Sequence, residues 1–283
     1  MIRSVKLENE FNQSIELIGN NQYTLTNIEG LNPAPATINT TSNSGYDGSR
    51  YDSSRVGNRN IVLSVAIEYP VEKNRIELYK YARPKRYIKF YYKNGLRDVY
   101  IEGYVESCEL NPFSQKTTVQ ISIICPQPYF CDANVVTTEF GGIVNLFEFP
   151  FSNPAEGMPF SGIIKNDIKT ITNYGDIECG LIFEIEALGN IVEPTIYNVD
   201  ALDKFGLNIE LLAGDRLTIN TNNRTKYVTL ERAGATTNVV NNVMRESKWL
   251  KLPIGAFKFT YNAVYGSENM SLTIRHNDLY QGV

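Results

Sequence analysis

A single histidine and a single tryptophan among 283 residues remove most familiar chemistry. The lone His276 cannot assemble the ligand set of a zinc site, and Cys108, Cys125, Cys131 and Cys179 form no CxxC pair to help it. The four read instead as reduced, mostly buried thiols. A Ser-His-Asp triad would have to recruit His276, yet no GxSxG elbow presents a nucleophile. His276 therefore reads as a surface histidine beside Asn277 and Asp278. An excess of one charge is missing too: Lys+Arg 27 against Asp+Glu 31 leaves a formal net charge of −4, with no electrostatic drive toward nucleic acid or acidic membranes. No apolar run approaches the ~18 residues of a spanning helix. The opening "MIRSVKLENEF" lacks the apolar core of a signal peptide, so synthesis in a cytoplasm without export by the usual route is expected.

What is present points to β structure. The chain has 18 Tyr and 13 Phe, with only 4 Met, and β-branched residues are frequent. An apolar fraction of 42% with 20% charged residues is that of a folded chain, long enough for two domains. "SIELIG" and "YTLTNIEG" read as short strands ahead of "GLNPAPA", whose prolines rule out a central strand. In "NIVLSVAIEY", Ile61, Leu63, Val65 and Ile67 share one face, a period of two. At "EYPVEKNRIELYKYARP" the pattern becomes helical over residues 70–83. Pro70 suits the first turn, Val71, Leu78 and Ala82 make a stripe, and Pro84 stops it. Glu72 and Glu77 toward the start and Lys80 and Arg83 toward the end complement the helix dipole. "VYIEGYVESCEL" and "QKTTVQISIIC" then form an antiparallel hairpin across "NPFS".

The expected architecture is mainly β. Residues 1–132 form a β-barrel-like domain with one helix, 133–162 form a Gly-, Pro- and Phe-rich linker, and 163–283 form a β-sandwich. In the last, "GLIFEIEAL" places Leu181, Phe183, Ile185 and Ala187 inward, and "LNIELLAGDRLTINTNNRTKYVTL" is three strands divided by polar turns.

Four stretches carry candidate chemistry. Glu184 and Glu186 share a strand face, but spacing alone does not separate a glycosidase pair from a solvated face. With no catalytic constellation recognised, no enzyme, metal or cofactor is expected. Between Lys73 and Arg97, basic residues including Arg75, Arg83, Lys85, Arg86 and Lys89 interleave with Tyr79, Tyr87, Phe90 and Tyr91. That composition suits a single-stranded nucleic-acid platform. Its spread over helix, turn and strand favours contact with a protein partner or a solvated face. Trp249, in "SKWLKLPIG", is a candidate sugar-stacking ring, with core packing the plainer reading. "SGYDGSRYDSSRVGNRN" has glycines but no GKS or GKT ending, and it leads into a strand, so it is no phosphate loop.

The order of these features resembles a known family. "FNQSIELIGNNQYTLTNIEGLNPAPATINTT", the "IEGLNPA" segment Ile28–Ala34, the Asp47–Gly48 pair, the Arg59-Asn60-Ile61 start of a strand and "CPQPYF" at Cys125–Phe130 are similar to the N-terminal half of phage distal tail proteins. "ITNYGDIECGLIFEIEALG", "LLAGDRLTINT" and "WLKLPIGAFKFTY" are similar to that family's galectin-like C-terminal sandwich. The resemblance implies a virion structural protein, made in the host bacterial cytoplasm and placed at the distal end of the tail. It implies a hexameric ring of this chain, docked on the tail tube protein and a tail-tip hub protein, able to carry receptor-binding proteins, with DNA passing the channel without specific binding and no membrane partner. A polar arm joined to a hydrophobic strand then fits a head-to-tail contact that completes a neighbour's sheet edge. Asp47, Tyr51, Arg55, Arg59, Ile61 and Leu63 are assigned to that contact, and Arg75, Arg83, Lys85, Arg86 and Lys89 to a further partner. A carbohydrate-binding sandwich using Trp249, or a nucleic-acid-binding protein, are the competing readings.

Overall fold

The computed structural model describes residues 2–42, 44–111, 117–140, 143–145, 161–163 and 168–283. It divides into two compact units: Met1–Asn134 together with Leu279–Val283, and Val135–Asp278. Each is mainly β. Strand β1 (Ser4–Asn9), β2 (Ser14–Glu16), β3 (Tyr23–Glu29), β4 (Ala36–Thr41), β5 (Arg50–Val56) and β6 (Arg59–Ile67) precede helix α1 (Val71–Tyr81). Strands β7 (Tyr87–Lys93), β8 (Asp98–Asn111), β9 (Thr118–Cys125) and β10 (Phe130–Asp132) follow it.

The main sheet of the first unit runs β2-β1-β7-β8-β9-β6-β3, an open path with β2 and β3 at its ends. At 14 residues, β8 is long enough to meet β7 and β10 along its first half and β9 along its second. The "NPFS" connection expected after β8 lies, from Pro112 on, outside the described residues. Period-two patterning does the sorting that the sequence predicts. Ile61, Leu63, Val65 and Ile67 of β6, with Val119, Ile121 and Ile123 of β9, are buried in one cluster with Phe90, Ile101 and Phe130. Leu78 of helix α1 and Ala82 just past its end close that cluster, and burying a leucine of this kind contributes about 1.5–3 kcal/mol. Buried Asn74 fixes the start of the helix by donating to the Glu68 carbonyl at 3.0 Å, while Tyr23 Oη donates to the Asn74 carbonyl at 2.9 Å. The short strand Leu279–Tyr280 pairs with β10, so the chain returns to the first sheet at a point the sequence assigns to the sandwich.

Among the described residues, the second unit is built on two larger antiparallel sheets, with three two-stranded ladders beside them. One larger sheet orders Val136–Phe140, Met270–His276, Ile182–Ala187, Arg216–Asn220, Tyr227–Arg232 and Ala235–Asn238. The other orders Lys169–Asn173, Gly255–Asn262, Thr195–Asn198 and Asp203–Gly206. Their inner faces meet through aromatic rings, Phe183 with Phe259 at 6.5 Å and Phe140 with Tyr261 at 6.4 Å. Val136–Phe140 falls within the stretch read as linker. Its Phe140 is buried opposite Leu272, which makes it a member of the sheet. The rest of that stretch lies largely outside the described residues. No helix among the described residues is long and apolar enough to cross a membrane.

One ion pair secures a corner of this sandwich. The Arg232 guanidinium donates to both oxygens of buried Asp215, at 2.5 to 3.0 Å, and Asp215 also accepts from the Leu212 amide at 2.8 Å. The Arg232 hydrogen bond holds the Asp215 carboxyl below its ordinary value. A depressed folded pKa contributes stability above the unfolded carboxylate value, about 3.9, and that stability is lost as pH falls through the folded value. We therefore expect Asp215→Asn to be less stable than the parent at neutral pH and to lose less stability between pH ~5 and pH ~2. Chemical denaturation across that range checks this, and parallel acid limbs for the two proteins would remove Asp215 from the account.

Candidate assembly interfaces

Strands β4 and β5 pair with each other and, among the described residues, with no other strand. The register runs from Ala36 opposite Val56 to Thr41 opposite Arg50, with an irregularity between Asn39 and Thr40. Every residue of β4 is exposed, and all of β5 except Val56. No hydrophobic core supports this ladder. Its internal ties are polar: Asn39 Nδ2 to Ser53 Oγ at 3.0 Å, Tyr51 Oη with Ser54 Oγ at 2.8 Å, and Thr41 with Asp52. It projects Ile38, Tyr46 and Tyr51, large side chains 62%, 86% and 60% exposed. Asp47, Tyr51 and Arg55 of the expected contact set thus lie on or beside an exposed hairpin.

The other three do not. Ile61 and Leu63 are wholly buried in the first unit's own core, and β6 is flanked on both sides by β3 and β9, leaving no edge for a neighbour. Arg59 is buried as well. Its Nε donates to the Pro128 carbonyl at 2.6 Å, one terminal nitrogen donates to the carbonyls of Gly30 and Asn32, and the other donates to that of Gln281. The guanidinium also lies over the Phe130 ring at 4.6 Å. Burial pulls its pKa below the ordinary arginine value, but a guanidinium stays charged in a protein. These three residues are corrected to internal roles. The alternation that made β6 look like a docking strand is that of a central strand with one face in the core.

The basic stretch is largely satisfied from within. Lys89 pairs with Glu102 at 3.6 Å and sits over the Tyr100 ring at 3.8 Å, and Lys6 lies over Tyr91 at 4.0 Å. Arg86 pairs with Glu10 at 3.6 Å, and Arg75 pairs with Glu72. Rings already occupied by the protein's own cations are poor stacking platforms for bases. Arg83 and Lys85 are the members of this set that stand exposed without such a pairing among the described residues.

The remaining candidates have structural settings. Trp249 is half-buried against Phe205, ring centroids 5.1 Å apart, with the Lys226 ammonium 5.3 Å over its ring. His276 is buried rather than superficial. Inward alternation of its strand puts Nε2 3.6 Å from Asp278 Oδ1, and burial lowers its pKa. Glu184 lies on the outer sheet face, ion-paired with Arg275. Burial raises the thiols of Cys108 and Cys131 to about 11 and that of Cys125 to about 12, which leaves them protonated and unreactive at neutral pH. Among the described residues no three His, Cys, Asp or Glu side chains gather to hold a metal ion.

Comparison with known proteins decides the family. Residues 12–125 match the family described as the phage tail protein RIFT-related domain, and residues 174–280 match the siphovirus-type tail component, C-terminal domain. The chain belongs to the distal tail proteins of siphophages. No curated protein matches the sequence. Among solved structures, the Dit protein of phage SPP1, described as a paradigm of the hub adsorption apparatus of phages infecting Gram-positive bacteria, superposes with a TM-score of 0.69 at 9% identity. The match covers 98% of this chain and 99% of that one. A chain of the phage P2 baseplate, activated with calcium, gives 0.58 at 10% identity over 100% of both chains. The strontium form gives 0.55 at 10% identity over 98% of each. At such identities the agreement is one of fold. This distal tail protein is a structural tail component, and its place is the virion tail.

The two arginine classes predict opposite behaviour. Arg59→Met strands several buried carbonyls at about 1–3 kcal/mol each, so we expect the first unit to lose about 3–5 kcal/mol of stability. Arg83→Ala changes stability by less than about 0.5 kcal/mol. Urea denaturation followed by tyrosine fluorescence distinguishes them, and a neutral Arg59→Met would show that water replaces the guanidinium at no cost.

Proposed function

We propose that this distal tail protein is the hub of the tail tip: a ring of identical chains in which each β4–β5 hairpin reaches across to the next copy. The observation that carries the reading is the hairpin itself. A two-stranded ladder without a core is marginal in water, and this one leaves an outer edge of each strand and its largest apolar side chains uncovered. A neighbouring chain supplies both missing terms, strand pairing and burial, and a head-to-tail contact that closes gives a ring. Asp47, Tyr51 and Arg55, with Ile38 and Tyr46, are the residues we assign to that contact. Six copies, the tail tube protein above, and the tail-tip hub protein below follow from the family resemblance. The C-terminal sandwich, read as galectin-like, is the platform for receptor-binding proteins. Exposed Arg83 and Lys85 suit an acidic surface on one of these partners. A net charge of −4 suits a channel that DNA traverses without adhering. The role is structural and not enzymatic.

Native mass spectrometry across concentration tests the ring. We expect masses at multiples of the 32.0 kDa chain, converging on the hexamer. Replacing Thr37–Arg55 by a short Gly-Ser turn is expected to leave folded single chains. A ring that survives this trimming would overturn the hairpin's role.

A further inference from the structure

The hairpin has no core of its own, so its direction is set where it leaves the sheet. On the outgoing side the root is Gly30–Pro33, and on the returning side it is Arg59. Both sides are held by a segment distant in sequence. Gln281 gives its carbonyl to Arg59, whose other donors take Gly30 and Asn32. The Val283 amide donates to the Leu31 carbonyl at 3.1 Å. Arg97 donates to the Gly282 carbonyl at 2.9 Å and lies 3.9 Å over the Tyr280 ring, which fixes the segment from its far side. The fit is close. A Cβ on Gly282 would stand 2.9 Å from Pro33 Cδ and 3.1 Å from the Leu31 carbonyl oxygen, and one on Gly30, at φ +88°, would stand 2.1 Å from the Asn60 carbonyl oxygen.

We propose that Leu279–Val283 is a latch that aims the hairpin, so that only a chain carrying this segment in place presents an arm fit to engage another copy. The latch follows the whole of the second unit in the sequence, while the arm it aims lies within the first 60 residues. A chain lacking it therefore has the hairpin but not its fixed root. Because the hairpin is a lever of about 20 Å at ~3.3 Å per residue, a root free to tilt by ~10° moves the tip by about 3–4 Å, beyond the tolerance of a hydrogen bond. Chains of this kind are kept out of a ring that they would leave incomplete.

The inference rests on the hairpin being the subunit contact, and its test separates the two. Spin labels on non-cysteine side chains introduced at Ile38 on the hairpin and Ile76 on α1, both exposed and both in the first unit, report the hairpin's direction in the single chain. We expect a narrow distance distribution in the parent. Gly282→Val and a chain stopped after Tyr280, which both keep Arg59 and the apolar core, are expected to at least double its width. Both are expected to raise the concentration needed for half assembly more than tenfold, with the thermal midpoint shifted far less than by Arg59→Met. An unchanged width in both variants overturns the latch even if the ring depends on the hairpin. A ring that survives hairpin trimming overturns the contact reading even if the latch narrows the distribution.

Discussion

The arrangement turns on one cation buried without a carboxylate. A charge taken out of water is tolerated only where hydrogen bonds replace its hydration, and Arg59 obtains them entirely from backbone carbonyls. Those carbonyls belong to Gly30 and Asn32 after β3, Pro128 after β9, and Gln281 after the last short strand. The planar fork of a guanidinium places its donors in fixed directions, so satisfying them fixes three separate segments relative to the start of β6. A lysine at the same position would offer a point charge and a flexible stem, enough for neutralisation and too little for geometry. The Phe130 face beneath the cation completes the site with contact that needs no counter-ion.

That constraint explains a division of labour within the first unit. Its stability comes from the cluster that gathers Ile61, Leu63, Phe90, Ile121 and Leu78, and none of the hairpin belongs to it. The hairpin keeps its local shape through cross-strand pairs such as Asn39 with Ser53, each contributing roughly 0.2–1 kcal/mol. Local shape and direction therefore have different origins, one within the ladder and the other in the polar clamp at its root. The sandwich carries a separate core, with Phe183 and Phe259 as its joint between sheets.

Much of the fold was legible because burial follows period. The alternations at Ile61–Ile67 and Leu181–Ala187 are strands with the expected faces inward, and the helix lies where Pro70 and Pro84 bracket it. The failures have one cause. Alternation reports which face is covered but not what covers it, so Ile61 and Leu63 read equally well as a docking surface and as a core strand. Arg59 misled for a related reason: composition marks an arginine as exposed, and the carbonyls that bury it come from residues 30 to 281. His276 shows the same blindness, since the strand parity that turns it inward was visible but its burial was not. The hairpin left a weaker signal that could have been used. Neither "ATINTT" nor "RYDSSRV" carries the continuous apolar face that a half-buried strand shows.

Why the root should be held by hydrogen bonds rather than by apolar packing follows from what the proposed ring would require. Hydrophobic contact is non-directional and would secure the hairpin's base while leaving its angle soft. Hydrogen bonds weaken steeply as their angles open, so a set radiating from one planar group resists rotation about every axis. In a head-to-tail assembly that resistance matters more than affinity, because the same contact repeated with a different rotation gives an open helix in place of a ring. In the proposed six-copy ring, a bias of about 5° at each contact would accumulate to about 30°, half of the step between neighbours. Distributing the error is no remedy, since identical chains repeat it with the same sign. In the assembly proposed above, a buried fork of donors at the hairpin's root is therefore the element whose geometry would decide closure, and the distance in sequence between Arg59 and Gln281 is what made it invisible to a reading by local pattern.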